Sequence, residues 1–275
     1  MKVAILYLCS GDYSVFWKNF YESYEKNFLT ESYKEYFVFT DKDNLYYEDK
    51  CERIHKIYQE NLGWPNGTLL RFRMFSKIKE QLKNFDYIFF MNANLVCKAK
   101  VTEDELFNND ANLYAFQQPG YYNVKPKYFP YDRNNKCLAY VPYNYGENYV
   151  FGAINGGKSK AYIKLIETLN KNVDEDIKKG IYAKWLDESH LNRYIINRND
   201  VKVFSPSYCY PEGSNLPFET KIEVLDKSKF FNVDKIKNFK NNKNKYISKI
   251  SKYYNILYVN INWIKDIITR KTLQN

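Results

Sequence analysis

Positions 3–8 (Val3-Ala4-Ile5-Leu6-Tyr7-Leu8) form a continuous apolar run with no polar alternation, the pattern of a strand buried on both faces. Cys9-Ser10-Gly11-Asp12 breaks it. Apolar residues then recur at helical spacing (Phe16, Phe20, Tyr24, Phe28), which predicts a helix over 13–28. Tyr36-Phe37-Val38-Phe39-Thr40 predicts a second strand that stops at Asp41-Lys42-Asp43. Trp64-Pro65-Asn66-Gly67 reads as a turn, with Thr68 capping a helix that runs to about residue 85. An aromatic strand over 85–94 follows and closes on Asn92-Ala93-Asn94. The second half is less regular. It offers a Tyr/Pro-rich stretch (121–149), a tight turn at Gly156-Gly157, a helix from Ser159 to about residue 169 and a polar cluster at 185–194. Strand, helix, strand, helix, strand is the order of an α/β fold, here a central mixed sheet flanked by helices. Ligands of such sheets gather beyond the carboxyl ends of the strands. Leu8-Cys9-Ser10 and Asn92-Ala93-Asn94 both lie at such ends.

The chain's 275 residues are enough for one large core. We divide them into a main domain, residues 1–232, and a C-terminal segment, residues 233–275. Residues 235–252 carry seven Lys and no acid, and beyond them Ile250, Tyr253, Tyr254, Leu257, Ile261, Ile264 and Ile268 recur at about helical spacing. Such a basic amphipathic segment either packs on the domain with a solvated charged face or binds an anionic membrane surface. The net charge of +10 implies affinity for anions. The densest run of lysines is in the tail and no recognised nucleic-acid motif appears, so nucleic acid is not an expected partner. The five cysteines are odd in number and widely spread, with no CxxC, which argues against a disulfide framework or a zinc site and for a reducing compartment. No secretory leader and no run of ~18 apolar residues is legible. The expected setting is the cytoplasm, with the tail making peripheral contact on the inner membrane face.

Trp185-Leu186-Asp187-Glu188-Ser189-His190-Leu191-Asn192 is the densest polar cluster. The adjacent carboxylates can point in separate directions, one toward a donor sugar and one toward an anomeric carbon. Trp185 offers a flat apolar face for a pyranose. A purely structural alternative is a helix N-terminus, with Asp187 as cap and Glu188 favoured by the dipole. Asn92 and Asn94 have their own structural alternative, capping backbone groups in a turn. His55 and His190 are the only histidines and do not point to a His-rich metal site. No Walker loop, GxGxxG or Ser/His/Asp arrangement is present.

Seven segments in order resemble glycosyltransferase family 6, the group that holds the blood-group A and B transferases and the α-1,3-galactosyltransferases: Tyr36-Phe37-Val38-Phe39-Thr40-Asp41, Trp64-Pro65-Asn66-Gly67-Thr68-Leu69-Leu70-Arg71-Phe72, Phe89-Phe90-Met91-Asn92-Ala93-Asn94, Ala139-Tyr140-Val141-Pro142, Gly152-Ala153-Ile154-Asn155-Gly156-Gly157, Trp185 to Asn192, and Ser205-Pro206-Ser207-Tyr208. The likeness runs from residue 2 to about 229 and is nearest to the bacterial, metal-independent type. It implies a GT-A fold, a UDP-sugar donor, transfer to O3 of a galactose-type acceptor and retention of the α anomer. Leu8, Ser10 and Tyr13 match uracil and ribose contacts, and Arg71 matches a basic residue near the donor. Asn92 and Asn94 stand in place of the metal-binding aspartates. Asp187 matches the residue that binds the donor galactose, and Glu188 the essential glutamate, as transition-state stabiliser or nucleophile. Leu186 stands where His is usual, Gln118 where an acceptor-contacting His is common, and Phe151 is bulkier than the usual occupant. Ala153 matches a position where Gly accompanies GalNAc donors and larger residues accompany galactose. The steric reason is that an N-acetyl group needs room, a choice worth only ~1–3 kcal/mol.

Neutral amides at 92 and 94 cannot supply the charge that holds a divalent ion, so no metal cofactor is expected. The charge that builds on the departing diphosphate would then be met by Arg71, Lys227 and Lys229 through charge-assisted hydrogen bonds. The rival expectation is a decayed, non-catalytic sugar-nucleotide-binding protein. Retention of Asp187 and Glu188 argues against it.

Overall fold

The apolar run at the N-terminus becomes β1 (Lys2–Leu8) in a computed structural model that describes residues 1–143, 145–233 and 236. A 3-10 helix (Gly11–Phe16) leads into α1 (Trp17–Asn27), then β2 (Tyr33–Thr40), β3 (Ile54–Tyr58), the short helices α2 (Asn66–Leu69), α3 (Arg71–Ser76) and α4 (Lys79–Leu82), and β4 (Tyr87–Asn92). After β5 (Leu95–Cys97), α5 (Glu103–Phe107) and β6 (Leu113–Gln117) comes an irregular stretch with 3-10 turns at Pro119–Tyr121 and Pro126–Tyr128. β7 (Val150–Lys158), α6 (Ser159–Lys178), α7 (Leu186–Ile195), β8 (Val201–Phe204), β9 (Tyr210–Pro211) and β10 (Ile222–Val224) complete the described elements.

The central sheet has the order β3-β2-β1-β4-β7-β6-β8. β1 runs parallel to β2 and β4, and β7 runs antiparallel to β4 and β6. The start of β7 therefore lies at the same edge as the carboxyl ends of β1, β4 and β6. Alternation along β1 explains its unbroken apolarity. Val3, Ile5 and Tyr7 face a core with Phe16, Trp17, Phe20 and Tyr24, while Ala4 and Leu6 face a second core with Phe72, Phe75, Tyr162 and Ile166. Each large side chain taken fully out of water in these cores contributes roughly 1.5–3 kcal/mol before entropy is subtracted. A smaller sheet, β5-β10-β9, lays the chain after residue 222 beside the end of β4.

Four expectations change. Gly156-Gly157 is not a turn but lies inside β7, opposite Phe89 and Ile88 of β4. A Cβ at Gly156 would stand 2.4 Å from Phe89 Cδ1 and 2.7 Å from the Ile88 carbonyl, so the glycine permits the ring to lie across the strand. The single helix expected over 68–85 is three short ones, because Leu70 (φ −99°, ψ 12°) and Ile78 (φ −113°, ψ 14°) leave helical geometry. Those breaks re-aim the chain so that Phe72, Met74, Phe75, Ile78 and Leu82 all enter one core. Pro65, not Thr68, is the residue that precedes α2. The helix at Ser159 is longer than expected, because the stripe Tyr162, Ile166, Leu169, Val173 continues its buried face. Of the proposed C-terminal segment 233–275, all but residues 233 and 236 lies outside the described residues.

Candidate active site

Leu186 takes a left-handed backbone conformation (φ 53°), unusual for a branched residue and worth about 1–2 kcal/mol of strain. It turns the chain sharply into α7 and sets Asp187 and Glu188 on its first turn. There the exposed N–H groups of the helix favour negative charge. The cap itself is Trp185, so Asp187 is not the N-cap; Trp185 N–H donates to Ser189 Oγ at 3.0 Å, and the indole is half exposed.

Both carboxyls face inward. Tyr149 Oη–H donates to Glu188 Oε1 at 2.6 Å and Gly152 N–H to Oε2 at 2.8 Å. Burial still dominates, and the Glu188 carboxyl is pushed up to about 7 against these two bonds. Asp187 Oδ2 lies 3.0 Å from Arg71 Nε, yet burial pushes its carboxyl up to about 6. The Arg71 Nε–H is not aimed at that oxygen, and Nε is buried without a hydrogen bond. Arg71 Nη1 donates to the Gly152 carbonyl at 3.2 Å, and the guanidinium stacks 4.5 Å from the Phe90 ring centroid. A single peptide stretch of β7 thus holds both partners, with Gly152 N–H on Glu188 and Gly152 C=O on Arg71. Asn192, one turn beyond Glu188, fixes the helix to the strand. It accepts from Val150 N–H and donates to Val150 C=O, each at 2.9 Å.

At the end of β4, Asn92 Nδ2 donates to Asn94 Oδ1 at 2.8 Å, and Asn94 Nδ2 donates to the Leu225 carbonyl at 2.7 Å. The amides are bonded to one another and tie down the segment that follows β10. That segment places Lys227 Nζ 4.9 Å from the Tyr13 ring and packs Phe230 and Phe231 on Phe16. Lys229 pairs instead with Glu212 at 2.6 Å and is exposed. Leu8 is half-buried at the end of β1, beside Asn92 in register. Ser10 precedes the 3-10 helix without capping it. Phe151 packs against the α1 side of the core and Ala153 is buried on β7. Gln118 turns back on its own loop, accepting from Gly120 N–H at 2.6 Å. The sheet edge therefore brings together Arg71, Asp187, Glu188 and Gly152, and the Asn92/Asn94 pair with the segment of Lys227. Lys229 is held away by Glu212.

Tyr149, Gly152 and Asn192 were given no role by sequence reasoning, although Gly152 and Asn192 stood within segments it quoted. Only Asn192, spaced four residues from Glu188, carried a usable signal.

A model of glycosyltransferase family 6 matches residues 1–241. The chain belongs to glycosyltransferase family 6. It is 35% identical over 229 residues to the O-antigen biosynthesis glycosyltransferase WbnI of Escherichia coli, covering 83% of this chain and 96% of that one. It is 26% identical over 237 residues to globoside alpha-1,3-N-acetylgalactosaminyltransferase 1 of Gallus gallus, covering 83% and 68%. With histo-blood group ABO system transferase 2 of Rattus norvegicus it shares 29% over 206 residues, covering 73% and 60%. The mixed seven-stranded sheet flanked by helices is consistent with the GT-A type of fold. As a family 6 glycosyltransferase the protein takes a nucleotide-sugar donor and a glycan acceptor. Among the described residues no helix is long and apolar enough to cross a membrane.

Proposed function

We propose that this family 6 enzyme is a retaining, metal-independent α-1,3-galactosyltransferase that moves galactose from UDP-galactose to O3 of a galactose-type acceptor. The observation that carries the proposal is the half-buried Glu188 carboxyl, held by Tyr149 and Gly152 beside the Arg71–Asp187 pair at the sheet edge. Glu188 is the catalytic group, facing the anomeric carbon as charge develops there. Asp187 holds hydroxyls of the donor sugar. Leu8, Ser10 and Tyr13 receive uridine, and Trp185 and Gln118 border the acceptor.

We read Asn92 and Asn94 as a site without a metal: they carry no charge, and Asn92 Nδ2 and both polar atoms of the Asn94 amide are engaged in hydrogen bonds within the protein. Charge on the leaving UDP is met by Arg71 and by Lys227, which the Asn94–Leu225 bonds bring to Tyr13. Lys229 joins them only by leaving Glu212. Phe151 and Ala153 shape the donor-sugar pocket, and the methyl of Ala153 disfavours an N-acetyl group. The GalNAc donor is the second reading. It is favoured by the likeness to a globoside alpha-1,3-N-acetylgalactosaminyltransferase. We place the catalytic domain at residues 1–232. We place the protein in the cytoplasm, with the basic segment 233–275 on the inner membrane face.

Product analysis with UDP-galactose and UDP-GalNAc, against fucosylated and plain galactosides, tests this. The expected product is an α-1,3-galactoside, formed equally well after a brief exposure to EDTA. Donor binding with no transfer to any acceptor means a decayed scaffold. An activity lost with EDTA and restored by Mn²⁺ ends the metal-independent assignment.

A further inference from the structure

Away from the sheet edge, three side chains from three different parts of the chain meet inside the protein. Cys137 comes from the irregular stretch before β7, Asp176 from α6 and His190 from α7, and their potential ligand atoms all lie within 4.8 Å of one another. Exposures of 4%, 1% and 1% place all three out of water. Cys137 S–H donates to Asp176 Oδ2 at 3.1 Å, and His190 Nε2 is 3.7 Å from the same oxygen. The second distance is too long for a hydrogen bond. His190 Nδ1 is buried with no partner, a lack that a buried imidazole nitrogen rarely shows. Two ligands at about 2.0–2.3 Å from one tetrahedral ion stand roughly 3.3–3.7 Å apart, near the 3.1 and 3.7 Å measured to Asp176 Oδ2, and the Cys137–His190 pair lies within 4.8 Å.

The surroundings suit an ion as well. Leu138 N–H donates to both Asp176 oxygens, at 3.2 and 2.9 Å, which orients the carboxylate. Ala139 N–H points at Cys137 Sγ at 3.4 Å, a donor that steadies a thiolate. Ala139, Ala183 and Ile181 close an apolar shell around the sulfur. We propose that Cys137, Asp176 and His190 form a structural site for a borderline-soft divalent cation of the zinc type, separate from the reaction centre. The donor set of thiolate, imidazole and carboxylate matches Zn²⁺ rather than Mg²⁺ or Ca²⁺. On binding, the Cys137 S–H bond breaks, its proton leaves to solvent and the thiolate pair goes to the metal. The ion ties α6 and the 137–139 stretch to α7, the helix whose first turn carries Asp187 and Glu188. A chelator could then weaken the enzyme by loosening that helix without any metal taking part in transfer.

Cobalt(II) is the probe, because a thiolate ligand gives it a charge-transfer band in the near ultraviolet. Full-length, metal-stripped protein titrated with Co²⁺ is expected to show that band saturating at about one equivalent, to release about one proton per ion and to lose the band when Zn²⁺ is added. The band is expected to vanish in Cys137→Ser and to weaken in His190→Gln. It is expected to persist in Cys51→Ser, which removes the only cysteine that is not buried. One equivalent of Zn²⁺ should raise the wild-type Tm and leave that of Cys137→Ser unchanged. A wild-type titration with no band and no rise in Tm overturns the assignment without recourse to any variant. So does a band that survives Cys137→Ser.

Discussion

Removing one hydroxyl should move the acid limb of the pH–rate profile. Tyr149 Oη–H donates to Glu188 Oε1 at 2.6 Å, and Gly152 N–H supplies the other bond. Burial pushes the Glu188 carboxyl up to about 7, and the Tyr149 bond is the largest influence opposing it. A hydrogen bond to a charged group is worth roughly 1.5–3 kcal/mol, and 1.36 kcal/mol corresponds to one pKa unit. Tyr149→Phe should therefore raise the Glu188 carboxyl by about 1–2 units. The ring contacts that hold Tyr149 (centroids 5.2 Å from Tyr121 and 5.4 Å from Tyr131) do not need the hydroxyl, so the fold should persist. If the ionised carboxylate is the working form, kcat/KM rises with pH through the Glu188 pKa, and the limb shifts to higher pH by those 1–2 units. Below the limb the variant should be about 10–100-fold slower than wild type, and the gap should narrow as pH rises. The assay is transfer from UDP-galactose measured across the pH range, with CD spectra at each pH. A limb that stays in place, or moves to lower pH, refutes the assignment of Glu188 as the titrating group.

Glu188→Gln should abolish most turnover yet stabilise the folded chain at alkaline pH. Glu188 binds its proton more tightly folded (about 7) than at its ordinary value of 4.5, so its contribution to stability is full below about 4.5 and lost as pH rises through about 7. The cost at pH 8 is on the order of 1–3 kcal/mol; a Tm at pH 8 no higher than wild type contradicts it. Asn94→Ala leaves the Leu225 carbonyl without its side-chain donor, a loss of about 1–3 kcal/mol that loosens the segment bearing Lys227. The KM for donor should rise more than kcat falls, with no rescue by Mn²⁺, and an unchanged KM would count against the role given to that segment. Gly156→Ala drives a Cβ to 2.7 Å from the Ile88 carbonyl and should cost about 3 kcal/mol or more, whereas Gly67→Ala meets nothing within 4 Å and should be near neutral in urea melts.

The parallel half of the fold was legible because its signals are local. An unbroken apolar run of six residues, closed by Cys9-Ser10-Gly11-Asp12, reads as a strand with two covered faces, as Val3, Ile5 and Tyr7 on one side and Ala4 and Leu6 on the other bear out. β7 was missed because Gly156-Gly157 is common to turns, and the pressure of the Phe89 ring on that strand comes from a residue 67 positions earlier. Asp187 and Glu188 were legible as a pair and through family likeness. Their environment was not, since Tyr149 and Gly152 enter through sheet pairing. The structural alternatives raised for these residues also hold in part: Asp187 and Glu188 do sit on a helix first turn, and Asn94 does bind backbone. The Cys137, Asp176 and His190 grouping runs against the expectation drawn from scattered cysteines, because two helices and a loop assemble it from distant positions.

The grip on Glu188 from β7 comes from a main-chain N–H, and the grip on Arg71 from the neighbouring carbonyl of the same residue. No exchange of side chain at Phe151 or Ala153 can delete either bond. Lineages could thus retune which sugar enters while the acid and its cationic neighbour stay anchored. Gly152 itself is barred from such drift, since even a methyl there would sit 2.9 Å from Glu188 Cβ.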